Sequence, residues 1–127
     1  MRKITKKIKK PYRRCIELAK KIAKERDGYK SVKSGRSDCQ MHGSHILGVG
    51  AHPRMAVYPL NIKTLTAQEH LWWHSAPTES GEWFKKTFPK WAKDLEKLRF
   101  EIEGDLKKTN YEKKLVELKE ELKTLIK

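Results

Sequence analysis

Between Tyr29 and Leu65 the chain carries Gly, Ser and Pro too often for a long helix, and this interruption limits the folds open to it. On its N-terminal side, Tyr12, Cys15, Ile16, Ala19, Ile22 and Ala23 recur at spacings of three and four, with Lys and Arg opposite. That is an amphipathic helix over 12–27, ended by Asp27-Gly28, with Cys15 a small buried side chain. Within the interruption, short β segments near 40–47 and 59–65, joined by an irregular loop with His52-Pro53, are expected.

After it, Thr66-Ala67-Gln68-Glu69 forms a capping box, so a short helix should cover 66–74, with Pro77 stopping it. A further helical section runs from about 79 to 100, interrupted at Pro89. Its apolar set is Trp83, Phe84, Phe88, Trp91, Leu95 and Leu98. Gly104 loosens the chain. A last helix should begin near Thr109, with Glu112 closing a second Thr-x-x-Glu box. Tyr111, Leu115, Leu118, Leu122 and Leu125 make a heptad-like stripe of about two heptads. This stripe packs either on the first helix or on a second copy of the chain as a homodimer. The class is therefore α+β, mostly helical. Residues 1–10 form a basic arm, 11–100 the main domain with its N-terminal helix, and 105–127 the C-terminal helix.

Lys and Arg number 30 against 16 Asp and Glu, a net charge of +14. So strong an excess attracts polyanions, nucleic acid first among them. The arm has too little apolar face for a membrane helix, and no apolar run can span a bilayer, so no membrane partner and a cytoplasmic location are expected. Arg13, Arg14, Lys20 and Lys24 extend the charge along the first helix. They suit phosphate contacts, which bind largely without regard to sequence and weaken with salt. The cysteines, Cys15 and Cys39, make no disulfide framework. Cys39 and His42 form a Cys-x-x-His pair that lacks the two further ligands a zinc needs.

Histidines gather between His42 and His74. His70 and His74 lie one helical turn apart, so both imidazoles project from one face, as a metal requires of a helix. His45, in a strand, is expected to point toward that helix, and Asn61 to fix the intervening loop by bonding its backbone. Imidazole suits Zn, Ni, Mn or Fe, and a site with few protein ligands is less selective.

Gly43-Ser44-His45-Ile46, Asn61-Ile62-Lys63-Thr64-Leu65 and His70, followed by Trp72-Trp73-His74, together resemble the HNH nuclease motif, a ββα-metal site of the His-Me finger superfamily. The nearest likeness is to phage recombination-type endonucleases, the Nin-region and Rap-like proteins, over about residues 25–92. The resemblance implies a small ββα-metal core flanked by N- and C-terminal helices. It implies His45 as general base, Asn61 as the residue that positions it, and His70 and His74 as ligands of one divalent ion (Mg, Mn, Ni or Zn). It further implies nicking of duplex or branched DNA to leave a 5′-phosphate, in phage recombination or processing within the host cytoplasm. Arg54, between the two β segments, suits a phosphate clamp through its planar fork.

Two departures matter. Where the family often has an acidic or histidine ligand before the base, Ser44 stands, a weak ligand, and His42 is the available substitute. Where many members carry cysteine knuckles, Ser31, Ser34, Thr66 and Glu69 stand. These cannot form a thiolate site, so no structural zinc is expected. The Thr66–Glu69 box supplies some of the missing support, about 1 kcal/mol. The departures also keep open a nuclease-fold protein that binds DNA without cutting it.

Overall fold

The computed structural model describes residues 2–126, with side chains from residue 10. The basic arm's side chains, and any DNA role for them, lie outside the described residues. Helix α1 (Arg2–Arg26) takes in the stretch expected as a separate arm, with Pro11 inside it. Strands β1 (Met41–His45) and β2 (Ile62–Thr66) form a two-stranded antiparallel sheet, with Met41 opposite Thr66 and His45 opposite Ile62. Then come α2 (Ala67–Ser75), α3 (Pro77–Thr87), α4 (Pro89–Gly104) and α5 (Tyr111–Ile126). The class is α+β and mostly helical. Among the described residues no helix is long and apolar enough to cross a membrane.

α1 is the axis on which the rest is assembled. Its apolar stripe buries Cys15, Ala19, Ile22 and Ala23. Ala19 and Ala23 pack on Ile62 of β2, while Cys15 and Ile22 meet Val57 and Leu118 of α5. Of the two partners open to the C-terminal stripe, then, α1 is one that it takes. Tyr12 and Tyr111 seal the contact edge to face, their centroids 4.8 Å apart. The helix ends in a Schellman turn. The amide of Tyr29 donates to the Lys24 carbonyl at 2.8 Å and that of Gly28 to the Glu25 carbonyl at 3.1 Å, with Gly28 at φ +66°. Asp27 then turns back to the sheet, accepting from the Thr64 hydroxyl at 2.8 Å.

Prolines set the helix boundaries on the other side. Pro77 and Pro89 each occupy a first-turn position, where a missing N–H breaks no helical bond. The short helices are glued by aromatics. Phe84 packs within 5.6 Å of Phe88 and 5.2 Å of Trp91, ring centre to ring centre, and Trp72 within 5.6 Å of Trp83. The cap of α5 is not the expected Thr109. Asn110 accepts from the Lys113 amide at 3.1 Å, and Thr109 lies one residue too early to do so.

Candidate functional site

The first turn of α2 is built as its sequence requires. The Thr66 hydroxyl accepts from the Glu69 amide at 3.2 Å, and the Glu69 carboxylate accepts from the Thr66 amide at 2.9 Å. The Ser31 hydroxyl donates to the same carboxylate at 2.6 Å and accepts from the amides of Lys33 and Ser34. The positions expected to lack a zinc knuckle therefore meet in a hydrogen-bonded clamp that ties the 31–36 turn to α2.

One turn further on, three imidazoles touch. His42 Nδ1 lies 3.0 Å from His70 Nδ1, and His70 Nε2 lies 3.1 Å from His74 Nε2. A neutral imidazole has one N–H and one lone pair, so His70 donates to one neighbour and accepts from the other. Burial, aided by His74, His42, Lys63 and Lys20, pushes the His70 pKa down to about 4. It is thus held in the neutral form that a metal ligand needs.

The strand histidine in this contact is His42, which corrects the expectation that His45 would join the helical pair. Side chains alternate along a strand. His42 meets His70 of α2, and the next position, Gly43, faces α1. Gly43 shows this directly: a Cβ there would come within 2.8 Å of Lys20 Cγ, so only glycine lets α1 lie this close to β1.

His45 is held separately. Its Nε2 lies 3.0 Å from the Ala56 carbonyl, which can only accept, so Nε2 carries the proton and Nδ1 the lone pair. Burial lowers its pKa, and the charges of Lys20, Lys63 and His74 add to that effect against the pull of the carbonyl. Asn61 organises the loop that supplies the carbonyl. Fully buried, it accepts from the Leu47 amide at 2.7 Å and donates to the carbonyls of Leu47 and Met55, both at 3.1 Å. His52 grips Glu103 at 2.6 Å, and Trp91 donates to the Leu60 carbonyl at 2.7 Å, so α4 holds the same loop from outside.

Arg54 is placed otherwise than expected. Its guanidinium donates to the carbonyls of Asp105 and Lys107 at 2.6 and 3.1 Å and to the Thr109 hydroxyl at 3.3 Å. Its fork clamps the α4–α5 connection instead of facing a phosphate. Ser44 is fully buried and accepts from Lys63 Nζ at 3.3 Å, so it does not face the imidazoles as a free ligand. Of the expected phosphate contacts, Arg13 and Arg14 are exposed on α1, Lys24 is half-buried, and Lys20 lies across β1 close enough to depress both His45 and His70.

Lys63 itself was not foreseen. It is fully buried, its Nζ 3.2 Å from the centre of the Trp73 ring, and burial pushes its pKa down to about 6. A lysine in a short strand reads as a solvent-facing residue. Only the pairing of Ser44 with Lys63 beneath α2 shows otherwise, and that register is not written in either strand alone.

Whether a divalent ion suits these residues turns on spacing. Two nitrogens bound to one ion at about 2.0–2.1 Å stand roughly 3 Å apart. His70 Nε2 and His74 Nε2, at 3.1 Å, meet that condition. His42 approaches the opposite nitrogen of His70. For that reason no three His, Cys, Asp or Glu side chains share one coordination centre among the described residues. The spacing of His70 and His74 fits an ion, and His42 stands outside that pair. No protein-family model, curated protein or solved structure matches this chain.

Proposed function

We propose that this chain is a divalent-metal-dependent DNA endonuclease of the HNH type, hydrolysing phosphodiester bonds with His45 as general base. The observation that carries the reading is the His45 ring, oriented by the Ala56 carbonyl in a loop gripped by Asn61, at the end of a strand whose His42 meets His70, itself in contact with His74. Base and ligand pair thus come from one strand and the helix that follows the hairpin.

Each residue has a definite task. His45, neutral and with its Nδ1 lone pair unengaged by the Ala56 contact, takes a proton from the attacking water. Asn61 is a positioning residue that fixes the base through the loop. His70 and His74 would hold the ion through their facing Nε2 atoms, and His42, on the opposite ring nitrogen of His70, would orient that ring. A divalent ion there supplies polarisation of the scissile phosphate and stabilisation of the leaving oxyanion. The Arg13, Arg14, Lys20 and Lys24 surface supplies phosphate affinity. Phage DNA recombination or processing is the setting suggested by the resemblance of the Gly-Ser-His-Ile, Asn61 and Trp-Trp-His segments.

Incubation with supercoiled plasmid in Mg, Mn, Ni or Zn should yield nicked circles. His45→Ala should lower the rate by about 100-fold or more, the usual range for a lost general base, while salt-sensitive DNA binding survives. One observation favours a second reading, a DNA-binding protein of the same fold that does not cut. The residue before His45 is buried against a lysine amine and adds no ligand. Binding without nicking in all four metals selects that reading.

A further inference from the structure

We propose that the cavity between the end of β1 and the α3–α4 pair receives a single nucleobase displaced from the stack of a bound nucleic acid. The proposal rests on the nucleic-acid reading above and goes beyond it by naming a second contact, apart from the imidazoles. The cavity measures about 280 Å³ and is walled by Ile46, Leu47, Trp73, Phe84 and Leu95. That lies just under the roughly 300–1,000 Å³ of pockets for drug-sized ligands, and suits one planar ring system.

Its place in the chain gives it an occupant. Ile46 directly follows the candidate base His45, and Trp73 directly precedes His74. Two of its walls are thus chain neighbours of the imidazoles proposed to meet a phosphate. The net charge of +14 favours a polyanion over an acidic-poor or apolar partner. The walls then offer what an extruded base seeks. Lys63 covers Trp73 at 3.2 Å from its ring centre and Phe84 stands edge to face with it, centroids 6.3 Å apart, so the two aromatic walls are held in place. Aromatic stacking suits every base, because each has a π-face. Lys85 and Glu96, both exposed, stand at the lining with a donor and an acceptor for the base's polar edge.

Gly81, inside α3, also lines the cavity. A Cβ there would meet nothing within 4 Å, so the position accepts a side chain large enough to fill the space.

The test compares a DNA duplex with the same duplex carrying a single-base bulge, in equilibrium binding without added metal. Stacking of one base on an aromatic side chain, offset by little unstacking cost at a bulge, should favour the bulged duplex by about tenfold. Gly81→Phe, which fills the cavity, should abolish that preference and leave paired-duplex affinity and its salt slope unchanged. Gly81→Ala should keep it. In the unmodified protein, irradiation of a duplex with 5-iodouracil at the bulge should crosslink Trp73 or Phe84, a readout that needs no variant. Equal affinity for the two duplexes, or crosslinks confined to other residues, overturns the base pocket while leaving the endonuclease reading intact. Failure to bind either duplex overturns both.

Discussion

The two ends of α2, a helix of nine residues, are chemically opposite. At its first turn, Thr66, Glu69 and Ser31 satisfy one another completely. Burial works against the Glu69 carboxylate, but hydrogen bonds from Ser31, Ser34 and Thr66 outweigh it and hold the pKa below the ordinary value. At its last turns, His70 and His74 have only imidazoles for partners among the described residues, and His74 is exposed. A closed network stabilises the fold by itself; an array of neutral imidazoles gains most when something else supplies the charge. The first end is explained by folding. The second, on our proposal, holds a divalent ion, and the comparison can be broken at either end.

The largest effect is expected at the imidazole end. Mn or Zn added to metal-free protein should raise Tm in proportion to affinity, because the folded state alone presents the pair. His70→Ala should weaken binding by more than the roughly 10–100-fold that loss of an outer-shell partner costs. Ser31→Ala, at the other end, should leave the affinity unchanged. Calorimetric titration decides the matter: if neither Mn nor Zn binds, or if the His70 variant binds as tightly as the unmodified chain, the two ends do not differ in the way argued here.

The contrast also explains what could be read from the residues alone. The capping box, the Pro89 break, the buried Cys15 and the two short strands are local signals, set by a few neighbouring positions, and each element appears close to where its pattern predicts it. The contacts that build the site are not local. Which strand histidine meets His70 depends on strand parity, and parity needs the register of β1 on β2. Arg54 turns to the 105–109 segment, about fifty residues away, and Asn110 in place of Thr109 caps α5 by a shift of one residue. The Ser31–Glu69 bond joins two of the four positions at which the family resemblance expects cysteine knuckles.

Between the two ends lies Lys63, beneath Trp73, and it gives an effect of middle size. Its folded pKa of about 6 is far below the ordinary 10.5. Between those values the unfolded chain holds a proton that the folded chain does not, so stability rises as pH climbs through that window. Lys63→Met keeps much of the volume and removes the amine. It should flatten the rise and stabilise the protein at pH 7 by about 1–3 kcal/mol, the range for burying a polar group with incomplete compensation. Denaturant midpoints at pH 6, 7.5 and 9 would measure both. A variant that parallels the unmodified chain across the range would mean that Lys63 stays charged when folded.

The smallest effect is expected at the closed end. Ser31→Ala removes a donor to Glu69 and the acceptor for two amides of the 31–36 turn. Such a loss should cost about 1–2 kcal/mol, the penalty for leaving partly buried groups unsatisfied. Glu69→Gln keeps a capping box, since glutamine also reaches the cap amide, and should cost less than the serine change at neutral pH. The two differ in acid. The stabilisation from the depressed Glu69 pKa is present above its ordinary value of 4.5 and is lost as pH falls through the folded value. The gap between Glu69→Gln and the unmodified chain should therefore close in acid, while the gap for Ser31→Ala persists in part, because the amides it orphans do not titrate. Equal costs for both at every pH would mean that the clamp acts through shape alone, and that charge plays no part in how α2 begins.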